Sequence, residues 1–113
     1  MATRKNGKKL TPAMRAFATF KTKCRNAIIF FRMGDFYEVF FEDAEIVSEV
    51  LDLTLTSRTN TNNLVPLVEI PWHVLDGCRK KMLQAGYRVA TCEQFESRKT
   101  TRDVVCIYTP IRK

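Results

Sequence analysis

Phe30-Phe31-Arg32-Met33-Gly34-Asp35-Phe36-Tyr37-Glu38-Val39-Phe40-Phe41 reads as two short apolar strands folded about a Gly-Asp turn. Successive side chains of a strand point to opposite faces. Phe36 and Glu38 therefore share one face, and Tyr37, Val39 and Phe41 share the other. A ring and a carboxylate side by side near a turn form an aromatic wedge next to a hydrogen-bond acceptor. A protein that inserts a ring into a base stack and tests the displaced base needs such a pair. Read singly, Phe36 is a core ring and Glu38 a solvated strand residue.

Outward from this stretch, strands and helices alternate. Thr11-Pro12 offers a hydroxyl N-cap followed by proline at the first helical position, which predicts a helix from Pro12 to about Lys23 with Phe17 inward. Ala27 to Arg32 reads as a buried strand, Met33-Gly34-Asp35 as the turn and Phe36 to Phe41 as the return strand. Glu42-Asp43 opens a helix with Ile46, Val47, Val50 and Leu51 as its apolar stripe. Leu53 to Thr56 is expected as a strand, Thr59 to Asn63 as a polar loop and Val65 to Ile70 as another strand bounded by Pro66 and Pro71.

Trp72 to Ala85 has helical spacing, with Leu75, Cys78, Met82 and Leu83 inward and Arg79-Lys80-Lys81 as a solvated face. Trp72 is expected to be partly buried and His73 structural. Gly86 stands where a helix C-terminal glycine belongs, and Tyr87 to Glu93 and Val104 to Tyr108 complete the strands. The fold class expected is α/β, a single domain with a mixed β-sheet flanked by helices.

With 113 residues the chain suits one domain, read as a flexible basic arm over residues 1–9 followed by a folded unit over 10–113. The net charge of +7 suits a polyanionic partner or a solubilising surface equally well. The basic start reads as a nuclear address, a phosphate-binding arm or a solvated tail. No run approaches the roughly 18 apolar residues of a membrane span, and no secretory signal is evident, so no membrane partner is expected.

Cys24, Cys78, Cys92 and Cys106 lack the close pairing of a zinc site, and His73 is the sole histidine. No metal and no cofactor are expected. Three of the four cysteines lie among apolar residues, which suits buried thiols in an intracellular, reducing compartment, either cytoplasm or nucleus. No nucleophile–base pair stands out, so catalysis is not expected.

Five collinear segments carry a resemblance. They are Leu10-Thr11-Pro12 with Met14 and Arg15, Phe31 to Glu38 continuing through Phe40 to Ala44, Leu51 to Arg58, Ile70-Pro71-Trp72-His73 with Asp76-Gly77, and Gly86 to Gln94. Together they resemble the N-terminal mismatch-recognition domain of the MutS family of DNA repair proteins, from Leu10 to Pro110. A lone Gly-Asp-Phe-Tyr-Glu would be weak; five segments in order are specific.

The resemblance implies that Phe36 stacks on a mispaired base and that Glu38 hydrogen-bonds it. It implies that Met33 and Asp35 touch DNA near the mismatch, and that Arg58 lies near the DNA backbone. The partner implied is double-stranded DNA, preferentially mismatched, together with other repair proteins or the remainder of a MutS-like chain. Independently of the resemblance, Arg98, Lys99 and Arg102 form a basic polar loop suited to phosphates.

Val68-Glu69-Ile70-Pro71 departs from the family's small glycine-containing stretch and adds a carboxylate near the DNA face. No Gly-x-x-x-x-Gly-Lys-Ser/Thr loop is present, so ATP is not bound in that way. The chain suits either a piece of a longer protein or a stand-alone module. The alternative function is a repurposed MutS-like scaffold serving as an interaction or assembly protein, for example on a ribonucleoprotein.

Overall fold

The computed structural model describes residues 10–60, 63–95 and 101–110. Helix α1 spans Pro12–Lys23, strand β1 Ala27–Met33, strand β2 Phe36–Phe40 and helix α2 Phe41–Leu51. Strands β3 (Thr56–Asn60) and β4 (Asn63–Pro71) follow. A single 3-10 turn at Trp72–Val74 leads into helix α3 (Leu75–Gln84), then β5 (Arg88–Phe95) and β6 (Thr101–Tyr108). The six strands form one sheet in the order β3-β4-β2-β1-β5-β6. Only β1 and β5 pair in parallel; every other neighbour is antiparallel. The expected α/β class with a mixed sheet is what the chain adopts.

Local chemistry explains several boundaries. The Thr11 hydroxyl accepts from the Met14 amide at 3.2 Å, and Pro12 needs no partner at its position. Gly34 (φ +62°) takes the first central position of the two-residue β1–β2 turn, between the paired residues Met33 and Phe36. α3 ends with Gly86 at φ +97°, where Gly86 and Tyr87 donate backwards to Leu83 and Met82. α2 stops without glycine: Asp52 itself adopts the left-handed conformation at φ 56°.

Helix α1 lies over one face of the sheet. Phe17 meets the rings of Phe31 and Phe40, with centroids 6.4 and 5.4 Å away, and Phe20 meets Phe31 at 6.2 Å. Helices α2 and α3 pack against β4, β2 and β5. Val39, Val68, Ile70 and Val89, which face away from α1, are all buried. Both faces of the central sheet are therefore covered farther in from the tip, which is why β1 is apolar from Ala27 to Phe31.

Four expectations need correction. The strand expected over Leu53–Thr56 begins at Thr56 and runs to Asn60, so Thr59, Asn60 and Asn63 belong to a hairpin; residues 61–62 lie outside the described residues. Pro66 sits inside β4 rather than bounding it. It lies beyond Leu67, the last residue paired with β2, so on that flank it interrupts no ladder. Phe41 leaves the strand to start α2 with φ 60°, and its ring packs 6.1 Å from Phe17. Trp72 to Val74 form a 3-10 turn before the α-helix, and Trp72 is exposed rather than partly buried.

Asp43 ties three elements together. The β1–β2 pairing ends at Phe31 and Glu38, and the Asp43 carboxylate accepts the Ile29 amide at 3.1 Å in place of a strand. Lys21 of α1 donates to both Asp43 oxygens, at 2.8 and 3.0 Å. Burial pushes the Asp43 carboxyl above its ordinary value, and the bonds from Lys21 and Ile29 reverse only part of that. Between the ordinary value, about 3.9, and the raised one, the folded protein keeps a proton that the unfolded chain has released. This contribution to stability is full at lower pH and is lost as pH rises through the raised value. Urea melts across that window should show the parent losing stability relative to Asp43→Asn as pH rises, with a constant difference above it.

Candidate nucleic-acid interface

The β1–β2 turn forms a tip at one end of the sheet. Phe36 opens β2 at the outermost rung, where it pairs with Met33 on one side and Pro71 on the other. It is 43% exposed, because α1 crosses the sheet farther in, over Phe31 and Phe40. Met33 is half-buried, and Gly34 and Asp35 are exposed. The tip is tied to β4 as well, since the Trp72 amide donates to the Asp35 carbonyl at 2.9 Å.

Glu38 lies one pleat behind Phe36 on the same face. Its exposure is 5%, so it is a buried carboxyl and not the solvated strand residue of the single-residue reading. In register it stands between Glu69 and Phe31, and Phe31 stands beside Cys92. Glu69, the departure noted in the sequence, is thus directly across from Glu38, with its own side chain exposed. Phe31 and Phe40, both fully buried, flank Glu38 on its face and fix the strand that carries it.

The opposite face of the tip is held by a polar clamp. Arg32 Nε donates to the Gly34 carbonyl at 2.6 Å, and its guanidinium lies 3.6 Å from the Glu93 carboxylate. The Tyr37 hydroxyl donates to Glu93 Oε2 at 2.5 Å, while Arg32 Nη1 approaches that hydroxyl at 3.4 Å. Burial and the Glu93 contact both raise the Tyr37 pKa, so at neutral pH the phenol keeps its proton and remains a donor. The Arg32 guanidinium also covers the rings of Tyr37 and Trp72, at 5.3 and 5.9 Å. Sequence reasoning passed over this clamp; its one signal was a lone arginine closing an apolar run just before a Gly-Asp turn.

Met33, Asp35, Phe36 and Glu38 are thus brought together. Arg58 is not among them. Its backbone pairs with Val65, about 20 Å along β4 from Pro71 at the tip end. Arg102 is not in a loop as expected but in β6, where it pairs with Gln94 near the end of β5 that lies beside the tip, since β1 and β5 run in parallel with Phe31 against Cys92. Nothing is described of the side chains of Arg58 and Arg102, and Arg98 and Lys99 lie outside the described residues.

Helix α3 is less uniformly solvated than its sequence suggests. Arg79 bonds to Asp76 at 2.7 Å and covers the Tyr108 ring at 4.4 Å, leaving Lys80 and Lys81 as its exposed cations. All four cysteines are free thiols, but only Cys92 is fully buried; Cys24, Cys78 and Cys106 are half-buried. Among the described residues no three His, Cys, Asp or Glu side chains gather as a metal site would need. No helix among them is long and apolar enough to cross a membrane.

The site is thus a mixed sheet, flanked by helices, that carries two exposed rings, Phe36 and Trp72, at a pinned turn. The profile of MutS domain I matches residues 11–111, and the chain belongs to that family. Three relatives named DNA mismatch repair protein MutS illustrate the similarity. That of Thermosipho melanesiensis is 48% identical over 100 residues, which is 88% of this chain and 12% of the relative. That of Pseudothermotoga lettingae is 48% identical over 107 residues, 90% of this chain and 13% of the relative. That of Caldanaerobacter subterraneus is 44% identical over 107 residues, 89% of this chain and 12% of the relative. The chain therefore spans only about an eighth of the length of the curated relatives it matches.

Proposed function

We propose that this chain is a DNA-binding module that recognises mispaired or unpaired bases without catalysing a reaction. The observation that carries the reading is Phe36, a large ring left exposed at the outermost rung of an otherwise buried strand. Phe36 enters the base stack from the minor groove at a weakened step. Unstacking costs a few kcal/mol per step and costs least where pairing is already poor, and this difference is the source of selectivity. The displaced base moves along the same sheet face toward Glu38, whose carboxyl accepts its hydrogen bond. Because Glu38 is already buried, little water has to be removed when the base arrives. Met33 and Asp35 contact the duplex beside that step, and Arg58, Arg98, Lys99 and Arg102 supply phosphate contacts.

A single small domain covers limited DNA surface, so its affinity is modest and dominated by charge. The test is a titration of matched, mismatched and unpaired-base duplexes across salt, with duplex RNA as comparator. With a net charge of +7, log affinity should fall steeply with log salt, and the mismatched duplexes should bind most tightly at every salt. Equal binding to all duplexes, or affinity indifferent to salt, would remove mismatch recognition from the reading and favour the assembly scaffold.

A further inference from the structure

We infer that Trp72 is a second contact to the duplex, seated against the sugar–phosphate backbone beside the step that Phe36 enters; this rests on the DNA-binding reading above. Trp72 is 53% exposed, a large apolar area at the surface. Its amide is bonded to the Asp35 carbonyl at 2.9 Å, so its backbone moves with the turn that carries Phe36. Its ring is oriented by the Arg32 guanidinium, 5.9 Å from its centroid, and Arg32 is itself fixed by Gly34 and Glu93.

The two exposed rings occupy opposite faces of the tip. Arg32 pairs across the ladder with Tyr37, so both side chains lie on the face away from Phe36, and Arg32 covers Tyr37 and Trp72 together. A ring on that face cannot enter the step that Phe36 enters. When Phe36 is in the stack, Trp72 meets the wall of the groove. An indole suits that surface: its flat body packs on deoxyribose, and its N–H donates to a sugar or phosphate oxygen. Backbone contacts position a duplex without reading it, so Trp72 raises affinity for matched and mismatched DNA by the same factor.

Trp72 is the sole tryptophan, so its emission reports on this contact alone. The intact chain is titrated with matched and mismatched duplexes, following tryptophan emission with unlabelled DNA and anisotropy with dye-labelled DNA. Emission should change at the same midpoint as anisotropy, and quenching by acrylamide should weaken in the complex. Trp72→Ala should lower affinity for both duplexes about tenfold with their ratio unchanged, while Trp72→Phe recovers most of it. Mismatch-preferring anisotropy with emission and acrylamide access at their free values would overturn the Trp72 contact and leave the Phe36 reading standing. A change in the affinity ratio in Trp72→Ala would overturn the backbone assignment. Absence of mismatch preference in the parent would overturn both readings.

Discussion

Phe36→Ala is expected to remove the preference for a mispaired duplex while lowering the melting temperature by less than about 8 °C. The two halves of this result have separate causes. Discrimination falls because stacking a ring on a base is worth roughly 1–3 kcal/mol, about five- to 150-fold in affinity, and alanine has no ring. General binding persists because phosphate contacts come from other side chains. Stability changes little because Phe36, 43% exposed at the strand end, has only part of its ring to lose from the interior. The affinity ratio for mismatched over matched DNA and a thermal melt of the same preparation measure both. A large fall in melting temperature, with no mismatch preference in the parent, would mean that Phe36 serves packing and would sink the wedge.

Phe17→Ala gives the opposite pattern and the largest loss of stability expected from one substitution here. Phe17 is 1% exposed and its ring meets those of Phe31, Phe40 and Phe41. Removing it leaves a cavity between α1 and the sheet, at a cost of about 3–5 kcal/mol. Against a typical total of about 5–15 kcal/mol that is a large fraction, and the melting temperature should drop by roughly 15 °C or more. Below the new transition the mismatch ratio should stay near the parent value, because Phe36 and the clamp of Arg32, Tyr37 and Glu93 do not touch Phe17. A melting temperature close to the parent would show that α1 contributes little to holding the sheet.

The pair of variants separates the two parts of the molecule. The ring at the rim is the one proposed for recognition, and the ring beneath α1 is buried in the core. Phe31 and Phe40, both of which touch Phe17, are the residues that join these parts, since they flank Glu38 on its own face.

Where a few neighbouring residues suffice, the sequence by itself was decisive. Thr11-Pro12 bounded α1, Gly34 made the turn between β1 and β2, and Gly86 ended α3. Caps, fixed proline φ and positive-φ glycine act within one or two turns of chain, so they are legible without knowing what packs where. The strand period likewise put Phe36 and Glu38 on one face. It could not say how deep each would lie. That was decided by where α1 crosses the sheet, leaving Phe36 at the rim and Glu38 behind it at 5% exposure.

The same holds for β3, which begins at Thr56 and reaches into a polar stretch because β4 is there to pair with it. Asp43 looked like a helix-opening acid and became the substitute partner of Ile29, since the β1–β2 pairing ends at Phe31 and Glu38. The clamp that holds the tip joins residues 32, 37 and 93, and no local pattern links positions so far apart in the chain. Trp72 stayed exposed at the end of the sheet, just past Pro71, the residue that pairs with Phe36 on the outermost rung. Local sequence sets backbone conformation and side-chain face, whereas burial and long-range pairing depend on which distant surfaces arrive.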